Sequence, residues 1–376
     1  MANLLDYLDW RGDLTLSQSP FNEVDNLIFA ELAYLDFAGI VPGPGEGDGI
    51  ELSLAAECYF KRYPNGKETE KGLLVPEEMP KVLRKMVESS RFNGVRLNCY
   101  TETLDTKNAS QFAALTAELE DGSIFVAYRG TDETLAGWKE DFYLACMPEV
   151  PAQKLAVGYL KQVAAQYPRR RLRLGGHSKG GNLAVYAAAF SPAAIQRRIE
   201  KIWSNDGPGF HAEVLAAKGY RRIADRVTTI IPRFSIVGVL LENDENYLTV
   251  ESNQWGPMQH DGFSWQVVGN RFVHLDGVSA ETRRNDRLLK QWLDGMSPER
   301  RVTLAEGLFD ALEASGAVTL SDLKEEKLKV AEAILRAVKD MDKNTRETVN
   351  MAVKLFLQTG VKLQLEEWHQ ERGHGK

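Results

Sequence analysis

Gly176-His177-Ser178-Lys179-Gly180 is the stretch that decides how this chain folds. It is a G-x-S-x-G pattern. The preceding residues, Arg171-Leu172-Arg173-Leu174-Gly175, read as a short strand. The following ones, Gly181-Asn182-Leu183-Ala184-Val185-Tyr186-Ala187-Ala188-Ala189-Phe190, read as a helix of small residues. A strand, a tight turn carrying a central serine, and a helix make a nucleophile elbow. Such a turn strains the serine backbone, and neighbours without a Cβ let strand and helix pass close together. The alanine run lets the helix lie against a sheet.

The composition sets outer limits. A chain of 376 residues fits one large domain with an appendage, or two domains. Its 43% hydrophobic content is enough for a sizeable core. A net charge of -7 argues against a nucleic-acid-binding or anionic-membrane surface. The local basic run Arg169-Arg170-Arg171, with Arg173, reads as a solvated approach to the elbow strand. Cys58, Cys99 and Cys146 are widely spaced and form no C-x-x-C pair, so neither a disulfide framework nor a zinc site is indicated. The first ten residues include Asp6 and Asp9 and lack a basic region followed by a long apolar run, unlike a signal peptide. No stretch approaches the ~18 apolar residues that span a bilayer. A cytoplasmic location is expected.

Working outward from the elbow, strand-like and helix-like segments alternate. Helices are expected at residues 22–35, where Asn22 can cap, at 76–90 and at 152–167. Strands are expected at 95–100, 112–119, 123–128, 199–204, 226–232, 247–250 and 265–268. The alternation implies an α/β fold: a mostly parallel central sheet with helices on both faces. Pro42-Gly43-Pro44-Gly45-Glu46-Gly47-Asp48-Gly49 is a loop signal and a candidate lid. After Trp292 the sequence turns to charged helical segments. The expected division is an α/β-hydrolase domain over 1–296, with helical or cap elements inside 1–110, and a C-terminal helical appendage over 297–376. That appendage would pack on the core or on a second copy of the chain.

A serine hydroxyl is a poor nucleophile until a base takes its proton. In α/β-hydrolases the chain order is Ser, acid, His. Of the six histidines, His177 lies inside the elbow, and His369 and His374 lie in the C-terminal tail. His211 opens a helix too early in the chain, and His274 suits a strand. His260, in Gly256-Pro257-Met258-Gln259-His260-Asp261-Gly262-Phe263, sits in a loop between expected strands and is the candidate base. The acid should follow a strand. Asp206, in Asn205-Asp206-Gly207-Pro208-Gly209, does so, and Asp244 is the alternative. Asp225 precedes its strand and so lies at the wrong end of the sheet. The backbone N–H of Lys179 and that of Thr131, in Arg129-Gly130-Thr131, are the candidate oxyanion donors.

Together these residues resemble the class 3 lipase group of α/β-hydrolases. The resemblance lies in Val126-Ala127-Tyr128-Arg129-Gly130-Thr131, in Trp138 and Asp141, and in Gly176-His177-Ser178-Lys179-Gly180-Gly181-Asn182-Leu183-Ala184. The chain is more closely similar to the Mbeg-like bacterial family of unknown function. That similarity runs through Tyr7-Leu8-Asp9-Trp10-Arg11-Gly12-Asp13, Asp206-Gly207-Pro208-Gly209-Phe210 and Gln259-His260-Asp261-Gly262-Phe263-Ser264-Trp265. The resemblance implies a serine-hydrolase fold with Ser178, His260 and Thr131 in the roles above. Two positions depart from it. Ser235 stands where the lipase pattern carries its acid, so either Asp206 supplies the carboxylate or the site is weakened. Lys179 replaces an apolar residue, and its ammonium is expected to face solvent or, at the site mouth, to favour an anionic substrate.

The expected activity is a serine esterase or lipase-like hydrolase acting on a small-molecule acyl ester, with no metal or organic cofactor. Acyl transfer through the same residues and a catalytically weakened, partner-binding scaffold are the alternatives. The substrate's acyl length is not legible in the sequence.

Overall fold

The computed structural model describes residues 2–64, 66, 78–132, 134–242, 247–283 and 297–313. The described residues build a sheet whose first eight strands in chain order are β1 (Ile50–Glu51), β2 (Arg96–Asp105), β3 (Ser110–Glu118), β4 (Ile124–Tyr128), β5 (Leu172–His177), β6 (Ile199–Asn205), β7 (Val227–Pro232) and β8 (Tyr247–Val250). A separate two-stranded pair, β9 (Val267–Val268) and β10 (Arg271–Phe272), precedes β11 (His274–Leu275), which closes the large sheet. The order is β1-β2-β3-β4-β5-β6-β7-β8-β11. Strands β4 to β8 are parallel. The first four strands pair antiparallel, and β11 is antiparallel to β8.

Both faces of the sheet are covered, which is why β4 reads as one apolar run rather than an alternating one. Phe125 and Ala127 of β4 join the core built with α1 (Leu4–Arg11), α2 (Glu23–Leu32), α3 (Leu52–Arg62) and α4 (Met79–Glu88). Ile124, Val126 and Tyr128 point the other way. They meet α6 (Pro151–Gln166) and α7 (Lys179–Phe190), which follow α5 (Leu135–Cys146) in the chain. Ala184, Ala187, Ala188 and Ala189 of α7 are all buried, so the small residues do bring this helix onto the sheet. Short helices α8 (Ala193–Gln196), α9 (Ala212–Ala216) and α10 (Lys218–Arg221) lead from α7 towards β7, and α11 (Pro298–Glu313) lies against α5.

The helix starts are chemically explicit. Asn22 accepts from the N–H groups of Val24 and Asp25, and Asp25 returns a carboxylate to the Asn22 N–H. The same reciprocal cap, Asn3 with Asp6, starts α1. Each such cap contributes about 1 kcal/mol. Helix α2 then seats on β5 and β6, and its buried Asn26 donates from Nδ2 to Asn205 Oδ1 at the end of β6 at 2.8 Å. Gly175 makes room for it, since a Cβ there would strike Asn26 Oδ1.

Several expectations change here. The loop at residues 42–49 is not a lid over the elbow. Gly45 N–H donates to Gln166 Oε1 at 3.0 Å, and Asn98 Nδ2 donates to Gly47 O. Gln166 ends α6, next to the start of β5, whereas Ser178 follows its end. The loop therefore sits at the opposite end of the sheet from the serine. The basic run is only partly solvated: Arg171 pairs with Glu200 and Arg173 with Asp121, each at 2.7 Å. Helices α1 and α3 fall in the 1–110 stretch where helical elements are expected without bounds, whereas α5 has no counterpart among the expected helices. In α5 a buried Glu140 and Gly137 interrupt the apolar period. Asp244 and, apart from α11, nearly all of the C-terminal appendage lie outside the described residues, as do His369 and His374. Cys58, Cys99 and Cys146 are free thiols. Among the described residues no helix is long and apolar enough to cross a membrane.

Candidate active site

The elbow is built as its glycines require. Ser178 adopts φ 56° and ψ -132°, a backbone region that side-chain-bearing residues rarely occupy. Its N–H donates to Asn205 O at 2.9 Å, and its carbonyl accepts from the Gly181 N–H at 2.9 Å. A Cβ at Gly176 would lie 2.6 Å from Tyr128 O, and one at Gly180 would collide with that same carbonyl. The glycines thus let β4, β5 and α7 converge beneath the serine. Lys179 is the first residue of α7, where backbone N–H groups lack intrahelical partners and the helix dipole favours negative charge.

Two further loops meet the elbow. Asp206 follows β6 directly and is fully buried, in a positive-φ conformation (47°) that Asp tolerates better than most residues. His260 ends a 3-10 turn, Gly256–His260, in the segment after β8. Its Nδ1 lies 2.6 Å from Asp206 Oδ2. The other oxygen, Asp206 Oδ1, accepts the Ser235 hydroxyl at 2.6 Å, and Ser235 Oγ in turn accepts the Gly238 N–H at 2.8 Å. The serine that replaces the expected acid after β7 therefore buttresses the carboxylate that follows β6. Both oxygens of Asp206 are occupied, one by imidazole and one by hydroxyl.

Thr131 follows β4 and is buried, and its hydroxyl donates to Asp141 Oδ2 at 2.7 Å. That proton is committed, so only the backbone N–H of Thr131 remains for an oxyanion. Burial pushes the Asp141 carboxyl up to about 6, and its Oδ1 has no hydrogen-bond partner. Neighbouring Gly130 is tightly enclosed. A Cβ there would strike the Tyr34 hydroxyl, approach His177 O at 2.6 Å and Ser178 Cβ at 3.2 Å. Gly130→Ala is expected to displace the Thr131 loop from the serine. It should lower the rate of covalent labelling at Ser178 by about a hundredfold, the usual consequence of ~1 Å misplacement, in a time course on folded protein.

Lys179 corrects the sequence reading. Its side chain is neither in solvent nor at a site mouth, but 1% exposed. The ammonium donates to Gln111 O at 3.0 Å, Gln111 Oε1 at 2.7 Å and Glu140 Oε2 at 3.1 Å, using all three protons. Glu140 also accepts the N–H groups of Gln111 and Ala152, so both of its oxygens are hydrogen-bonded. This buried pair ties α7 to β3 and α5. Glu140→Gln removes the carboxylate bonded to the enclosed ammonium, leaving only the Asp141 carboxyl near it, and is expected to cost about 3 kcal/mol in urea unfolding. Adding Lys179→Met should recover much of that loss.

His177, at the end of β5, also belongs to the site. Its ring centre lies 4.7 Å from that of His260, and its Nε2 lies 2.7 Å from His260 O. Glu31 and Tyr34, from the C-terminal end of α2 and just beyond, lie on its other side. Neither Glu31 nor Tyr34 has any motif to mark it. Burial holds the Glu31 carboxyl well above the usual carboxylate range, with Asp261 adding to the effect, and burial pushes His177 down to about 3. A raised carboxyl favours folding below its unfolded value near 4.5 and loses that contribution as pH rises. Glu31→Gln should therefore gain stability over the parent above pH 5, by up to ~1.4 kcal/mol per pH unit. Urea unfolding at pH 5, 6, 7 and 8 would read this. A difference that is flat with pH would mean that Glu31 is ionised when buried.

His211 precedes α9 and its Nε2 lies 3.1 Å from Leu144 O, and His274 pairs with Glu23 at 2.7 Å, so neither joins the site. Among the described residues no group of His, Cys, Asp or Glu is gathered to hold a metal ion.

The family model described as Mbeg1-like matches residues 86–310 of the chain. No curated protein matches it. Among solved structures, Lip2 lipase from Yarrowia lipolytica shares 13% identity with a TM-score of 0.35, covering 70% of this chain and 89% of that one. A mutant of MDLA from Penicillium cyclopium shares 14% identity with a TM-score of 0.37, covering 69% and 87%. The native Rhizomucor miehei lipase propeptide complex shares 14% identity with a TM-score of 0.32, covering 54% and 67%.

Proposed function

The chain belongs to the Mbeg1-like family, and on the chemistry of its site we propose that it is a serine hydrolase cleaving carboxylic esters through an acyl-enzyme on Ser178. The observation that carries this reading is the Asp206–His260 hydrogen bond, with Ser235 on the second carboxylate oxygen, in loops beside a strained elbow serine. His260 takes the Ser178 proton as Oγ attacks the ester carbonyl. The developing alkoxide is held by the backbone N–H groups of Lys179 and Thr131. Collapse expels the alcohol, which leaves with the proton from His260. Water then attacks the acyl-serine with His260 as base, releasing the acid and restoring the hydroxyl. Asp206 keeps the imidazole in the tautomer that can accept a proton and stabilises the imidazolium that forms.

The scaffold alternative drew its main support from Ser235 and its second from the helical appendage. Asp206 hydrogen-bonded to His260, with Ser235 donating to it, weighs against the first. The second lies almost wholly outside the described residues. A fluorophosphonate probe tests the proposal. It should label the protein at Ser178, identified by peptide mass, and p-nitrophenyl esters of graded acyl length should be turned over. A folded protein that neither labels nor hydrolyses any ester of the series would refute it.

A further inference from the structure

Beneath the Asp206–His260 pair lies a second histidine–carboxylate pair that the reaction does not use. His177 Nε2 is 2.7 Å from His260 O, so this nitrogen carries the proton and donates it to a carbonyl that can only accept. A neutral imidazole with Nε2–H presents a lone pair at Nδ1. Two groups face that lone pair at 3.5 Å, Glu31 Oε1 and the Tyr34 hydroxyl. Tyr34 also takes a hydrogen bond from the backbone of Gly130. Glu31 is fully buried, and neither of its oxygens has a hydrogen-bond partner. An ionised carboxylate so placed would be buried against a lone pair and the nearby Asp261 carboxylate, with no hydrogen bond to hold its charge. A protonated one can present its O–H to Nδ1. Gly262, two residues beyond His260, lies against Glu31 as well: a Cβ there would be 3.0 Å from Oε1. One end of α2 thus touches the Gly130 turn, the elbow residue His177 and the His260 segment.

We propose that His177, backed by neutral Glu31 and by Tyr34, is a positioning residue for His260: its Nε2–H fixes the His260 peptide and thereby aims the imidazole that Asp206 holds. The brace resists movement of the His260 segment away from the elbow, and it does so without a charge that would compete with Asp206 for the imidazolium. A charged His177 would sit with its ring centre 4.7 Å from that of His260 and oppose proton uptake there. Keeping the pair neutral removes that repulsion. What the brace serves rests on the hydrolase reading, but its geometry can be tested apart from activity.

The first measurement uses the full-length protein with 15N-labelled histidine. His177 should be neutral and protonated at Nε2 from pH 5 to pH 8. A cationic His177, or one protonated at Nδ1, overturns the proposal. The second uses His177→Phe, which fills the ring volume and donates nothing. It should lose or broaden the strongly deshielded Nδ1 proton of His260 and slow fluorophosphonate labelling of Ser178 by about tenfold to a hundredfold. His177→Gln, which offers an N–H of similar reach, should restore part of both. A Phe variant that keeps the deshielded proton and the parent labelling rate overturns the proposal. Should the Phe variant fail to fold, the His177 tautomer in the parent decides. A parent protein with the expected tautomer that never labels at Ser178 would remove the hydrolase reading and leave the brace standing.

Discussion

Asp206→Asn is expected to lower the turnover of p-nitrophenyl esters by about 10⁴-fold while leaving the protein folded. The site makes this a clean substitution. Asn accepts the positive-φ backbone of Asp206 as readily as Asp does, and it has the same shape. Its amide oxygen can still take the Ser235 hydroxyl. The amide nitrogen then faces His260 Nδ1 and donates to it, which forces the imidazole proton to Nε2. In that tautomer His260 cannot accept the Ser178 proton. Ser235→Ala is the graded companion. It removes one hydrogen bond to the carboxylate and keeps the charge, so the drop should be about tenfold to a hundredfold, the range of a charge-assisted bond. Turnover, with circular dichroism and thermal unfolding as controls, reads both. An Asp206→Asn enzyme within tenfold of the parent would show that the acid lies elsewhere, and Asp244 would be examined next.

Ser178→Ala should be more severe still, with turnover falling by about 10⁶-fold and covalent labelling abolished. Alanine carries the same Cβ into the same strained backbone, so the elbow is kept and only the nucleophile is lost. Whatever rate remains would come from bound ester facing the Lys179 and Thr131 N–H groups. The double variant Ser178→Ala with Asp206→Asn should be no slower than Ser178→Ala alone, because the two residues act in one step. A further drop in the double variant would mean that Asp206 does something besides orient His260.

Much of the fold could be read from the sequence because its signals are local. Asn22, followed by Val24, Leu27, Ile28 and Leu32 at helical spacing, announces a capped helix, and the structure starts α2 there. The apolar run at Ile124–Tyr128 announces a strand covered on both faces, and its residues divide between the two cores. The elbow needs its glycines within a few residues of the serine, so the motif is short enough to recognise. Lys179 was misread for the opposite reason. A lysine after the serine says nothing about Glu140 and Gln111, which lie 39 and 68 residues away in sequence. The loop at 42–49 was misplaced likewise: its Gly and Pro content gives flexibility, whereas its location depends on Gln166 and Asn98.

The sequence by itself determined the α/β layout, the elbow and the identity of its serine, since each follows from spacing along one or two adjacent elements. Only the tertiary structure decided that Asp206 meets His260, that Ser235 supports the carboxylate instead of replacing it, and that Glu31, Tyr34 and His177 gather under the same histidine. Those contacts join residues 29, 54, 83 and 146 positions apart (His177 less Glu31 gives the last). Parallel strand order and helix seating set such distances, and no pattern along the chain encodes them.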